Sequence, residues 1–313
     1  MDSKKNDAKI NLEVDLGPLH LSNPATVASG TFGYGIEFSE FIDLDKIGAI
    51  FVKGLTVEPR SGHPQQRLSE TPAGLLNCIG LQNVGIESFI RDKLPSLKQW
   101  NTKIIANISG ATEEEYVYLT QQINQAEGIA ALEVNISCPN IDAGGMAIGT
   151  NAVLTEKLTE RIRQNTELPI IVKLTPNVTD IVTIAKAAWN GGADILSLIN
   201  TLLGMAIDAE TWKPVLSNVT GGLSGPAIKP VALRCVWAVS QNVPLPLIGM
   251  GGISTGTDAV EFMLAGASAI SIGTANFINP DAANIIISQM SEYCFRHDIS
   301  DIREITGRLH VNP

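Results

Sequence analysis

The sequence predicts an α/β fold, a closed (β/α)8 TIM barrel, on three observations. Apolar runs of strand length recur eight times, amphipathic stretches of helical length separate them, and the strongest Gly signals follow the last runs. The runs are continuous rather than alternating, as expected of parallel strands buried on both faces. Eight strand-then-helix units in series suit a barrel better than a doubly wound open sheet. The open sheet usually has fewer strands and a Gly-rich loop after its first.

Taken in order, Leu12–Leu21 alternates around Gly17-Pro18 and reads as a β-hairpin closing the barrel's N-terminal end. Strands are expected near Thr26–Ser29, Ala49–Lys53, Ile104–Ile108, Ala131–Ile136, Pro169–Leu174, Ile195–Ile199, Leu245–Met250 and Ala269–Ile272. Helices are expected over Thr112–Glu127, Ala152–Gln164, Val178–Asn190, Ile228–Ser240 and Thr257–Ala265. Capping residues such as Asp180 and Thr255 support their starts, and Gly191 or Gly266 their ends. Two connections, Leu55 to Asn83 and Thr201 to Ala227, are longer than a minimal loop. At the C-terminal face of a barrel such loops are usually functional. Barrels of this kind commonly run to about 250 residues or more as one domain, so residues 1–313 read as a single domain.

The chain is 44% hydrophobic and 17% charged, enough apolar matter for a large core. Its net charge of −10 argues against nucleic acid as a partner. Cys78, Cys138, Cys235 and Cys294 are far apart, with no CxxC pair, so neither a metal site nor a cysteine-ligated cluster is suggested. No apolar stretch of about 18 residues occurs and the N-terminus is polar, so no membrane span is expected; the reading is cytoplasmic, with reduced thiols.

In a barrel, the residues just past each strand line the active site. Here these are Ser29 and Gly30, Lys53 and Gly54, Asn107, Asn135 and Cys138, Lys173, Asn200 and Thr201, Gly251 and Gly252, and Gly273 and Thr274. The glycines after strands seven and eight suit the usual phosphate site of the fold, although tight turns alone also require Gly. Gly225 can add a backbone contact. Lys53 and Lys173 interrupt apolar strands. Buried lysines need an anion, either a neighbouring acid or an anionic ligand. Asn77, Asn135, Asn140 and Asn200 offer both donors and acceptors and suit a planar, amide-rich molecule such as a pyrimidine. A lone cysteine is usually inert and buried. Cys138, just past strand four between two asparagines, is nevertheless placed to act as base or nucleophile. Cys78, in the loop after strand two, reads as lining. The four histidines avoid the strand ends.

With these residues in view, the sequence resembles the class 1 dihydroorotate dehydrogenases, and among them the 1B type. The matching segments are Asn77-Cys78-Ile79-Gly80-Leu81-Gln82-Asn83, Asn135-Ile136-Ser137-Cys138-Pro139-Asn140, Ile199–Ala206, Gly221–Pro230 and Gly249-Met250-Gly251-Gly252-Ile253. Together they are specific; the glycine segments alone are shared by many flavin barrels. The resemblance runs from about Leu12 to Pro280.

The resemblance implies FMN held by Ser29, Lys53, Gly54, Asn107, Asn135, Lys173, Ile199, Gly225, Gly251, Gly252, Gly273 and Thr274. It implies dihydroorotate held by Lys53, Asn77, Cys78, Ile79, Gly80, Leu81, Asn135, Asn140, Asn200 and Thr201, with Cys138 as general base. The reaction implied is oxidation of (S)-dihydroorotate to orotate in pyrimidine (UMP) biosynthesis. Electrons would pass to NAD+ through a partner subunit carrying FAD and a [2Fe–2S] cluster, in a heterotetramer built on a homodimer. The membrane-bound class 2 carries serine where Cys138 stands. Two departures are visible: Cys78 replaces a usual serine, and Val84 stands where proline is common. The rival readings are a fumarate-reducing homodimer of the 1A type, another FMN barrel acting on pyrimidines, and a non-catalytic barrel subunit.

Overall fold

The computed structural model describes residues 10–136 and 148–311. Eight parallel strands close into a barrel: β1 (Ala25–Val27), β2 (Ala49–Phe51), β3 (Lys103–Ile108), β4 (Ala131–Asn135), β5 (Ile170–Leu174), β6 (Ile195–Leu198), β7 (Leu247–Met250) and β8 (Ala269–Ile272). Each pairs with its neighbour in sequence, and β8 closes on β1 through Ile270↔Ala25 and Ile272↔Val27. Apart from Lys103, every residue of these strands is buried, which is why the sequence shows runs rather than alternation.

The longer helices around the barrel are α1 (Glu113–Asn124), α2 (Ala152–Arg163), α3 (Ile181–Asn190), α4 (Lys229–Ser240), α5 (Gly256–Leu264) and α6 (Ala282–Arg296). Their starts follow local chemistry. Thr112, Asn151 and Asp180 each accept a hydrogen bond from a first-turn backbone N–H. Thr255 and Asp258 form a reciprocal capping box on α5. Three acids in the first turn of α1 and two arginines in the last turn of α2 complement the helix dipoles. The helices bury residues such as Tyr116, Ile162, Ile184, Val236 and Phe262 against the barrel.

Two features depart from the expected series of eight units. Between β1 and β2 the chain makes two short 3₁₀ turns, Ile36–Phe38 and Leu44–Lys46, instead of an α-helix. Gly33 and Gly35 there have φ of 55° and 95°, which breaks any helix across the segment. The two long connections, in turn, are not irregular. Leu68–Thr71 and Gly74–Asn77 from the first join Leu202–Met205 and Thr220–Ser224 from the second in one four-stranded antiparallel sheet.

The N-terminal hairpin forms as expected, with Val14–Leu16 paired to Leu19–Leu21. Val14, Leu16, Leu19 and Leu21 are buried, while Asp15 and His20 face solvent. Its turn meets the barrel's N-terminal end: a Cβ on Gly17 would stand 3.9 Å from both Asp194 O and Pro246, which lead into β6 and β7.

Candidate functional site

The barrel's C-terminal end opens into a cavity of about 420 Å3, within the range of small-molecule sites. Its floor is built from the strand ends. Asn107, Asn135 and Lys173 come from β3, β4 and β5, and Ser271 from β8. Period-two geometry sends alternate residues inward, so Asn107 and Glu133 lie paired across β3 and β4, and Asn135 and Lys173 across β4 and β5. Ser29, Lys53 and Gly54 continue the ring past β1 and β2, and Ile199, Asn200 and Thr201 past β6. One wall is backbone: Gly225, Gly251, Gly252, Gly273 and Thr274. The segment from Asn77 to Gln82, less Cys78, also lines the cavity.

Local chemistry holds these walls in place. The Asn77 amide donates to Gly222 O at 3.2 Å across the antiparallel sheet. Asn83 donates to Leu81 O at 2.7 Å and Thr56 Oγ1 at 2.9 Å, and accepts from Gly85 N–H at 2.8 Å. Arg67 donates to Gln82 Oε1 at 2.7 Å. Asn177 donates to Thr201 O and accepts from Leu203 N–H, which fixes the turn after β6. Thr274 Oγ1 donates to Ser224 Oγ at 2.8 Å, joining the glycine wall to the sheet.

Two ammonium groups, those of Lys53 and Lys173, belong to the cavity lining. Lys173 is 6% exposed. Its Nζ stands 3.7 Å from Glu133 Oε2, inside Coulombic reach but beyond a hydrogen bond. Both readings of a buried lysine therefore apply at once: an acid lies behind it and the cavity in front. Lys229, close to Gly252, is engaged elsewhere. Hydrogen bonds to Asp258 at 2.6 Å and Glu261 at 2.7 Å hold its ammonium above the ordinary lysine range.

Two buried polar atoms on the floor, Asn107 Oδ1 and Ser271 Oγ, have no hydrogen-bond partner among the described residues. Such atoms call for a ligand or water. Gly54 leaves room beside the first of them, since a Cβ there would stand 2.9 Å from Asn107 Oδ1. A flavin mononucleotide fits this donor set. Its ring bears N–H and C=O groups for the amides and hydroxyls, its reduced ring carries negative charge for a lysine, and its phosphate suits a glycine-lined wall.

Every sequence-predicted site residue among those described lines this cavity, with one exception. Cys78 is fully buried and faces the other way, packed with Leu76 and Leu216 and with Sγ 3.7 Å from Ser217 Oγ. Alternation explains this: Asn77 and Ile79 turn inward, so the residue between them turns outward. Cys138 and Asn140 lie outside the described residues. Glu133, Ser271, Ser224 and Asn177 were missed from sequence. Only Glu133 carried a signal, a lone acid inside the apolar run Ala131-Leu132-Glu133-Val134.

Comparison with known proteins gives a consistent picture. The family model described as dihydroorotate dehydrogenase matches residues 11–293. A protein of Desulforamulus reducens named "Dihydroorotate dehydrogenase B (NAD(+)), catalytic subunit" is 56% identical over 97% of this chain and 100% of its own length. Relatives of the same name from Geotalea daltonii and Alkaliphilus oremlandii are 53% and 54% identical. They cover 97% and 96% of this chain, and 100% and 99% of their own lengths. The chain belongs to the dihydroorotate dehydrogenase family.

Proposed function

We propose that this chain oxidises (S)-dihydroorotate to orotate with FMN as its resident cofactor, as the catalytic subunit of a cytoplasmic, NAD+-linked enzyme of pyrimidine biosynthesis. The observation that carries the reading is the convergence of Lys53, Lys173 and the carboxamides of Asn77, Asn107, Asn135 and Asn200 on one cavity with a glycine wall. The names of relatives that span nearly the whole chain support it.

When bound, FMN supplies the hydride acceptor. The chain's own residues then have separable tasks. Lys53 offsets the carboxylate of the substrate, which keeps an anion in a dry cavity. Asn77, Asn135 and Asn200 read the edges of its ring, and Asn140 belongs to the same set in this reading. Cys138 removes the proton from C5 as the hydride leaves C6, so one proton and one hydride depart and a carbon–carbon double bond forms. The wall from Asn77 to Gln82 and the glycine wall exclude water from this exchange.

Electrons leave through a partner subunit carrying FAD and a [2Fe–2S] cluster, in a heterotetramer built on a homodimer. The test is an anaerobic titration of the purified chain with dihydroorotate, followed by flavin absorbance near ~450 nm. Bleaching is expected in the wild type and is expected to slow by about 100-fold or more in Cys138→Ala, the scale of a lost general base. Rapid bleaching in Cys138→Ala refutes the base assignment. Efficient fumarate reduction by the isolated chain, with no NAD+ reduction on adding the partner, refutes the electron route.

A further inference from the structure

Glu133 is 0% exposed, on β4 one layer beneath the cavity floor. A carboxylate in such a place is costly to desolvate and needs donors. It has three. Asn107 Nδ2 donates to Oε2 at 2.5 Å, Ser197 Oγ donates to Oε1 at 2.7 Å, and Lys173 Nζ stands 3.7 Å from Oε2. Two of these three partners, Asn107 and Lys173, line the cavity, whereas Ser197 does not.

This arrangement has two consequences. An ionised carboxylate only accepts hydrogen bonds, so Asn107 must turn its NH2 group toward Glu133 and its Oδ1 away from it, to the side of Gly54, which lines the cavity. That is the atom found buried without a partner. The acid therefore fixes an amide that could otherwise sit either way round. Glu133 also places a negative charge behind the Lys173 ammonium. The cavity feels that lysine as a partly compensated cation, with its hydrogen-bonding capacity still directed forward.

We propose that Glu133 is a positioning residue for the flavin: it orients Asn107 as an acceptor and tempers the positive charge that Lys173 presents to the ring. The inference rests on the flavin reading above. It assigns no contact between Glu133 and substrate or cofactor; the residue acts through Asn107 and Lys173.

The experiment uses the flavin-loaded chain and the nearly isosteric Glu133→Gln. The first readout is the ratio of reduced to oxidised flavin at equilibrium with a reference dye under anaerobic conditions. Removing the negative charge leaves Lys173 uncompensated and favours the anionic reduced ring. The ratio should rise about tenfold at a given dye potential, equivalent to about 30 mV for a two-electron couple. The second readout is FMN dissociation followed by fluorescence. A Gln amide can donate as well as accept, so Asn107 is free to turn round, and FMN should bind at least about threefold more weakly.

A rise in the ratio smaller than about threefold, or any shift toward the oxidised form, overturns the charge role. FMN retained as tightly as in the wild type overturns the orienting role. Where Glu133→Gln fails to fold, Glu133→Asp decides: it keeps the charge, so its ratio should stay within about threefold of the wild type, and a larger rise overturns the proposal. A wild-type chain without flavin absorbance would instead refute the flavin reading itself.

Discussion

Gly252 and Gly307 both adopt a left-handed backbone, with φ of 80° and 71°, yet an added methyl would meet different surroundings. At Gly252 it would stand 2.8 Å from Gly225 O, 2.9 Å from Lys229 Cβ and 3.0 Å from Lys229 N. At Gly307 nothing lies within 4 Å. A left-handed L-residue costs about 1–2 kcal/mol. Crowding against backbone adds about 1–3 kcal/mol. Gly307→Ala should therefore lose about 1 kcal/mol, once the smaller unfolded-state entropy of Ala offsets part of the strain. Gly252→Ala should lose about 2–4 kcal/mol by the same reasoning. Of the two neighbours it would displace, Gly225 lies in the glycine wall itself and Lys229 opens α4. Gly252→Ala should therefore also loosen FMN by about tenfold or more, since 1.4 kcal/mol is a factor of ten. Gly307→Ala should leave FMN binding unchanged. The assays are denaturant unfolding of the flavin-free chain and fluorescence titration with FMN. Equal stability losses in the two variants, or unchanged FMN affinity in Gly252→Ala, would refute the argument that close approach rather than backbone conformation is what this wall requires.

Lys173→Met removes the counter-charge of a fully buried acid 3.7 Å away. Breaking such a pair costs about 3–5 kcal/mol. At about 2 °C per kcal/mol for a chain of this size, the apparent Tm of the flavin-free protein should fall by about 6–10 °C at a fixed scan rate. Loss of less than 2 °C would show that Glu133 finds other compensation. At the chain's other end, the Arg303 guanidinium beside Asp301 holds that carboxyl down at about 2. Because the folded value lies below the unfolded one, this contribution is fully present above about pH 4 and is lost as pH falls toward 2. Urea midpoints measured from pH 5 to 2.5 should decline less steeply in Asp301→Asn than in the wild type, and parallel slopes would contradict this.

The barrel was legible because its strands obey a local rule. A parallel strand buried on both faces must be apolar throughout, and β8 (Ala269–Ile272) was delimited from sequence to the residue. Boundary errors of one or two residues elsewhere fall at both strand ends; at the C-terminal ends residues such as Ser29, Lys53 and Ile199 stop pairing and turn to the cavity. The antiparallel sheet over the mouth was not legible. Its central pairing sets Asn77 against Gly222, and neither segment carries the alternation that would announce a strand. Gly221 and Gly222 lack the side chains that periodicity depends on. At Gly222 a Cβ would fall 2.1 Å from Thr201 Oγ1, so the sheet requires that very absence.

Site residues divide along the same line. Lys53, Lys173, Asn107, Asn135 and Asn200 could be read because each is a polar residue at or next to the end of an apolar run, and the fold assigns such positions to the cavity. Glu133 broke its run one layer earlier, where a side chain points into the barrel rather than into the mouth. A rule based on strand ends skips that position. A rule based on cost would have found it: a buried carboxylate persists only with donors, and on the floor of a barrel the nearest donors are the groups that face the ligand. Whatever holds those donors also sets what they present. In this chain the charge and orientation of the cavity floor are thus determined one layer below the residues that touch the cavity.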